Sequence, residues 1–295
     1  MIPTYNSAST IGETLASIQA QGNELRHISA VYLADDGSQD ETVAVAEAIW
    51  GATTPLRVLK HDDNLGERGN VNRAMRSIQG SADWILLLHS DDLAKPLWLR
   101  LMLARIDVAT DKVGSLCSSW DTLMPDGAIV LGEDNPERTI ETIEGTPESV
   151  RGTLKRGCWW HISGCAIRMK TFNEVGGFNT SLPQMGDWEW LLRCLSAGWN
   201  VEYIPRTLII YRQHESSVSA TSFRENRDVV ESLEIVNTYA NFLSRNELLS
   251  FHGRRLMSLS RRFVRAVLKL QFRRCLFHVR TVSTIGRNVI SCLRE

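Results

Sequence analysis

The sequence predicts an α/β protein, a mostly parallel sheet flanked by helices and followed by a helical C-terminal extension. Three observations carry that expectation. Over the first 110 residues short apolar strands alternate with amphipathic stretches, the pattern of βαβ units. Two of those strands, Val31-Tyr-Leu-Ala34 and Trp84-Ile-Leu-Leu-Leu-His89-Ser90, run into paired acids, Asp35-Asp36 and Asp91-Asp92. Beyond about 222 the apolar period is helical to the last residues.

Taken in order, the first strand reads as cut short. Only Met1 and Ile2 precede the Pro3-Thr4-Tyr5-Asn6 turn, where a central strand wants about five residues, so a native start upstream is expected. Thr10-x-x-Glu13 has the form of a capping box opening a helix whose Ile11, Leu15 and Ile18 share a face, and Ser38-x-x-Glu41 opens a second through Val43, Ala46 and Trp50. Leu56 to Lys60 reads as a strand, Asn70 to Gln79 as a helix, Trp84 to His89 as a strand, and Pro96 to Thr110 as a helix started by its proline. Residues 121–160 are rich in Pro, Gly and acid and read as loop or lid. Val175-Gly-Gly-Phe178 then precedes a helix over Gly186-Asp187-Trp188-Glu189-Trp190-Leu-Leu-Arg193, and a strand from Leu208 to Arg212 runs into Gln213-His214-Glu215-Ser216. In the last part Leu256, Leu259, Phe263, Val267 and Leu270 share a helical face, with Arg262, Arg265, Lys269 and Arg273 largely off it. The expected division is a catalytic-type domain over 1–222 and a basic helical extension over 223–295.

Charge separates the two parts. The net charge is −1, yet residues 250–295 hold eleven Lys/Arg against the single acid Glu295. A cationic amphipathic helix lies readily on anionic lipid, so peripheral membrane contact is the first reading of this tail and packing onto the domain the second. Nucleic-acid binding is disfavoured, because the acidic remainder repels phosphate and no recognition motif accompanies the charge. No apolar run approaches the roughly 18 to 20 residues that span a bilayer. Six cysteines without a C-x-x-C pair, and no basic-then-apolar leader before Pro3, disfavour a zinc site and secretion; a cytoplasmic, reducing setting is expected.

In an open α/β sheet ligands sit outside the carboxyl ends of the strands, so the four carboxylates of Asp35, Asp36, Asp91 and Asp92 should line one crevice. Such crowding is tolerable beside a cation or hydrogen-bond donors. A metal-bound nucleotide supplies both. Asp91 and Asp92 are hard oxygen ligands for a divalent ion, and His214 completes a shell suited to Mn²⁺ without excluding Mg²⁺. Asp35, acceptor-only, suits the imide N–H of a uracil or thymine, with the Thr4-Tyr5 turn supplying backbone groups and an aromatic face. Asp187, at a helix start, is the carboxylate left to act as general base, although it also suits a helix cap.

Pro3-Thr-Tyr-Asn6, Ala34-Asp-Asp-Gly-Ser-Gln-Asp40, Asn64-Leu-Gly66, Asn72, Ser90-Asp-Asp92, Val175-Gly-Gly-Phe178, Asp187-Trp-Glu-Trp-Leu-Leu-Arg193 and Tyr211-Arg-x-His214, in this order, resemble glycosyltransferases of family 2, with the GT-A fold. The resemblance runs from residue 1 to about 220. It implies an inverting, metal-dependent transfer from a nucleoside-diphosphate sugar, UDP first and dTDP next, to a hydroxyl of a glycan or lipid-linked acceptor in cell-surface polysaccharide or lipid-linked glycan synthesis. Carried over residue by residue, it implies nucleotide contacts at Pro3, Thr4, Tyr5, Asp35, Asp36, Asn64, Arg68, Asn72 and Asp91, metal ligation at Asp91, Asp92 and His214, and Asp187 as base. Departures from the pattern are His89 and Gly186, where the family commonly has acids, and Val71, where it commonly has arginine. His89 is then open to ribose or metal contact, and Arg68 or Arg73 to the phosphate.

Two other classes stand beside this one. A nucleotidyltransferase also joins an α/β sheet to metal-bound carboxylates, but Asn6-Ser-Ala-Ser-Thr10 lacks the basic residue its glycine-rich loop needs. A binding-only relative is the second, argued from the missing acid at His89 and opposed by intact Asp187 and His214. Asp-Asp-Gly-Ser alone is also an ordinary turn. Trp159-Trp160-His161 reads either as core or as an acceptor-sugar platform. Leu65-Gly66-Glu-Arg-Gly69 is no Walker loop, since no Lys-Ser/Thr follows.

Overall fold

Each apolar strand of the first hundred residues is flanked by a helix with one apolar face, and both faces of the resulting sheet are covered. The computed structural model describes residues 1–214, 225–268, 278, 281 and 282. In chain order the elements are β1 (Ile2–Thr4), α1 (Ile11–Gln19), β2 (Val31–Asp35), α2 (Thr42–Ile49), β3 (Leu56–Lys60), α3 (Gly66–Ser77), β4 (Trp84–Leu86), β5 (Leu93–Ala94), α4 (Trp98–Ile106), β6 (Val113–Leu123), β7 (Ile129–Val130), β8 (Glu141–Ile143), α5 (Pro147–Arg156), β9 (Ala166–Arg168), α6 (Met169–Val175), α7 (Gly186–Ser196), β10 (Asn200–Arg212), α8 (Arg227–Thr238) and α9 (Arg245–Leu268).

Strands β3, β2 and β1 pair in parallel, with Thr4 opposite Asp35 and Asp35 opposite Lys60. The Met1 ammonium donates to the Leu86 carbonyl at 2.7 Å and Leu88 N–H to the Met1 carbonyl at 3.1 Å, which sets β1 beside β4. The second sheet then runs β4-β9-β6-β10-β5. In it β9 is antiparallel to both neighbours, β6 and β10 are parallel, and β5 is antiparallel to β10. The carboxyl ends of β1, β2 and β4 therefore share one edge.

Alternate residues of the strands feed two cores, as a pleated sheet requires. Val31, Leu33 and Leu88 join Ile11, Leu15, Trp98 and Met102 on one face. Tyr32 and Leu87 join Val71, Met75, Trp188, Leu191 and Leu195 on the other. Val229, Leu233, Phe251 and Leu259 of α8 and α9 belong to that second core, so the extension expected from residue 223 packs on the sheet domain. Lys269, Leu270, Arg273, Glu215 and Ser216 lie outside the described residues.

Several expected boundaries change. Neither capping box forms. Thr10 turns its hydroxyl to the carbonyls of Ser7 and Ser90, and Ser38 accepts from Asn6 N–H; α2 instead starts at Thr42, whose N–H is held by Asp40 at 3.1 Å. Helix α3 starts at Gly66, earlier than Asn70, and α4 at Trp98, later than Pro96. The segment read as loop from 121 holds the end of β6, the short strands β7 and β8, and α5. That helix has the cap the sequence spells out, Thr146 Oγ1 accepting from Ser149 N–H at 3.2 Å with Pro147 at its start.

Candidate active site

The edge at the carboxyl ends of β1, β2 and β4 is built from acids that the backbone ladder places and cations then organise. Asp35 ends β2, fully buried, and its carboxylate accepts from Ser38 N–H at 3.3 Å. Asp36 follows; its N–H bonds to the Thr4 carbonyl at 2.9 Å and its Oδ1 accepts from Leu65 N–H at 3.1 Å and Arg73 at 2.9 Å. Pro3 and Thr4 lie buried in β1, Tyr5 beyond them is 46% exposed, and Asn64 is exposed with its Oδ1 on Gly66 N–H at 2.9 Å.

The second cluster follows β4. Asp91 Oδ2 lies 2.9 Å from His214 Nε2, joining residues 123 apart in sequence. Asp92 is fully buried; its Oδ1 accepts from Arg212 N–H at 2.9 Å, while Oδ2 has no hydrogen-bond partner among the described residues. Burial first, and then Asp91 beside it, push the Asp92 carboxyl up to about 6. His89 completes the group: one ligand atom each from His89, Asp91 and Asp92 lie within 4.8 Å of one another. Burial lowers the His89 imidazole, but Glu67, Asp92 and Asp91 outweigh it and hold its pKa above the usual range. A field that favours imidazolium there also favours a divalent cation.

Asp187 stands in the first turn of α7. Its Oδ2 accepts from Ile162 N–H at 3.2 Å, and its Oδ1 is ion-paired with the Arg68 guanidinium. Arg68 is 7% exposed and its guanidinium lies 5.5 Å from the Phe178 ring. Gly186 makes this burial feasible, since a Cβ there would sit 3.0 Å from Arg68 Nε. Gly186, one departure noted in the sequence, thus faces a guanidinium that comes from α3.

Asn72 has a different surrounding from the open ones of Tyr5 and Asn64. Its Nδ2 donates to the Phe178 carbonyl at 2.8 Å and its Oδ1 accepts from Phe178 N–H at 2.7 Å, so both ends of the amide are spent on the Val175-Gly-Gly-Phe178 loop. Trp159 and Trp160 are core residues, which removes them from any platform, whereas His161 lies with its ring 5.1 Å from both Trp120 and Tyr211. The sequence reading missed Glu67. It stands in the first turn of α3, its Oε1 3.0 Å from Arg68 Nη1 and 3.4 Å from His89 Nε2. An apolar cavity of about 350 Å³ lies away from this edge, beside Met1, Val31, Trp84 and Trp98, and holds none of these groups.

A parallel-sheet edge of this kind, with acids at adjoining strand ends and an imidazole returned to them by a later strand, lies where an open α/β sheet binds its ligand. Residues 1–120 match the family model described as glycosyl transferase family 2. Over that stretch the chain is similar to the family, and its fold is of the GT-A type. Among solved structures it resembles S. aureus TarS 1–349 in complex with UDP-GlcNAc, at TM-score 0.61 and 19% identity over 84% of this chain and 65% of that one. It also resembles the mannosyltransferase PcManGT from Pyrobaculum calidifontis in complex with GDP-Man and Mn²⁺, at TM-score 0.56 and 14% identity over 98% of this chain and 85% of that one. The succinoglycan biosynthesis protein ExoO of Rhizobium meliloti (strain 1021) is 35% identical over 109 residues, 37% of this chain and 29% of that protein's length.

Proposed function

We propose that the chain transfers a sugar, with inversion, from a nucleoside-diphosphate sugar to a hydroxyl acceptor. The observation that carries this is the gathering of Asp35, Asp91, Asp92 and His214 at the carboxyl ends of β1, β2 and β4, with Asp187 joined to the same edge through Arg68 and Glu67. Asp35 takes the base, Tyr5 its open face, and Arg68 and Arg73 the phosphates. Asn72 acts here as a positioning residue that holds α3 against the Phe178 loop. The unpartnered Asp92 oxygen and the imidazole-carboxylate donor set fit a divalent ion, Mn²⁺ or Mg²⁺, held by Asp91 and Asp92 with His89 and His214. Bound there, such an ion supplies positive charge beside the departing diphosphate.

The chain's own residues do the rest. Asp187, its Oδ2 fixed by Ile162 N–H, accepts the acceptor hydroxyl's proton as that oxygen attacks the sugar carbon from the face opposite the diphosphate. One displacement inverts the carbon. The acceptor is a glycan or a lipid-linked glycan, and α9 supports approach to a membrane. Its exposed Met257, Val264 and Leu268 share a face with Arg254, Arg261 and Arg265, and apolar side chains set among arginines suit an anionic lipid surface. Among the described residues no helix is long and apolar enough to cross a membrane.

One experiment separates binding from chemistry. UDP-, dTDP- and GDP-sugars are screened for Mn²⁺-dependent thermal stabilisation of the wild-type protein and of Asp187→Asn, with turnover measured alongside. A donor that binds the native state raises the melting temperature of both proteins. Asp187→Asn should keep that shift and lose about 10²- to 10⁴-fold in rate, the usual cost of losing general-base help. A fully active Asp187→Asn protein removes the base assignment.

A further inference from the structure

Glu67 is an acid of the site that the mechanism above leaves without a duty, and it is the point where the two halves meet. The same oxygen, Oε1, lies 3.4 Å from His89 Nε2 and 3.0 Å from Arg68 Nη1, and Arg68 Nη2 reaches Asp187. The metal-side imidazole and the base are therefore three ion-pair steps apart, through Glu67 and Arg68. Exposed pairs of this kind are worth little. Here Arg68 is 7% and His89 16% exposed, and Glu67 Oε1, Arg68 Nε, Arg68 Nη1 and His89 Nε2 are buried without aligned hydrogen bonds among the described residues. Burying four charged or polar atoms this way costs stability that an apolar contact would not. The arrangement holds geometry rather than fold.

We propose that Glu67 is a positioning residue that couples the cation site to the general base. The ion pair of Glu67 with His89 Nε2 at 3.4 Å holds the ring in place, as a carboxylate orients a metal-binding histidine. Sharing Arg68 with Asp187 sets the base's carboxylate at a fixed offset from that ring. Helix α3 suits the task, because an acid in its first turn is favoured by the helix dipole and the helix is anchored further along by Asn72 on Phe178. The inference rests on Asp187 as base and on a divalent ion at His89, Asp91 and Asp92.

The test uses Glu67→Gln and Glu67→Asp in the full chain, read by Mn²⁺ binding in calorimetry without donor and by kcat and KM at saturating Mn²⁺. Glu67→Gln should weaken Mn²⁺ about 10- to 100-fold, the usual loss when a carboxylate behind a metal-binding histidine is removed. It should also lower kcat at saturating Mn²⁺ with a smaller change in donor KM, and Glu67→Asp should restore part of both. Wild-type Mn²⁺ affinity and kcat in Glu67→Gln would overturn the proposal and leave an ordinary ion pair. If Glu67→Gln fails to fold, Glu67→Asp decides, because the shorter carboxylate must weaken Mn²⁺ binding if the coupling holds. Failure of the base reading has its own signature, a fully active Asp187→Asn protein, and the calorimetric arm still decides the His89 half.

Discussion

Four aspartates of the site share one side chain and have four surroundings. Asp35 is buried among backbone amides, Asp91 faces an imidazole, Asp92 is enclosed and pushed up to about 6, and Asp187 is paired with a guanidinium. Their positions at strand ends and at a helix start were legible in the sequence, because apolar runs ending in acid are local signals. Glu67 was not legible. Its meaning depends on α3 delivering it to His89, a contact no local pattern encodes, and Asn72 likewise took its duty from Phe178, 106 residues away. Replacing Asn72 by Ala removes two buried neutral hydrogen bonds, so a loss of roughly 1–3 kcal/mol is expected, measured as a shift in urea midpoint at unchanged slope. A midpoint equal to wild type would mean that Gly176 and Gly177 hold the Phe178 loop unaided.

At the scale of elements, the first four strands were legible because each is an apolar run bounded by turn residues. Helix starts were legible at α1 and α7 but shifted at α2, α3 and α4, and the expected cap bonds did not form because the cap residues found tertiary partners. Thr10 illustrates this: its hydroxyl serves Ser90 across the site edge instead of its own helix. The long strand β10 was read only from Leu208 because Pro205 breaks the pattern. The structure absorbs that proline as a bulge, with the register to β6 shifting between Ile204 and Thr207. In α9 the inward face is Phe251, His252, Leu259 and Ala266, rotated from the stripe expected through Val267, which is 47% exposed. Burial lowers the His252 pKa below its ordinary 6.5. The unfolded chain therefore takes up this proton at higher pH than the folded one, so the stability His252 confers is full above about 6.5 and is lost as pH falls through its folded value. Urea midpoints at pH 7.5, 6.5 and 5.5 should fall less steeply in His252→Gln than in wild type; equal slopes would show that His252 does not drive the loss.

For the whole molecule the charge asymmetry of the sequence becomes a placement. A cluster of acids lies at the sheet edge, while Arg262 of α9 is spent inward on Asp228 at 2.5 Å and Arg254, Arg261 and Arg265 face outward among Met257, Val264 and Leu268. Removing residues 250–295 would strip Phe251, Leu259 and Ala266 from the core, so the informative variant is Arg254→Gln, Arg261→Gln and Arg265→Gln together. Wild-type protein should pellet with vesicles containing phosphatidylglycerol, less so as salt rises, and the triple variant should stay largely in the supernatant. Wild-type protein that ignores such vesicles would end the lipid reading.

The bond between Asp91 and His214 also has a consequence in time. A ribosome that has released the chain only through β5 has made both aspartates and none of the strand that brings the imidazole and Arg212 to them. Until β10 emerges and adds itself beside β6, the nascent polypeptide carries these acids without His214 and Arg212 to meet them.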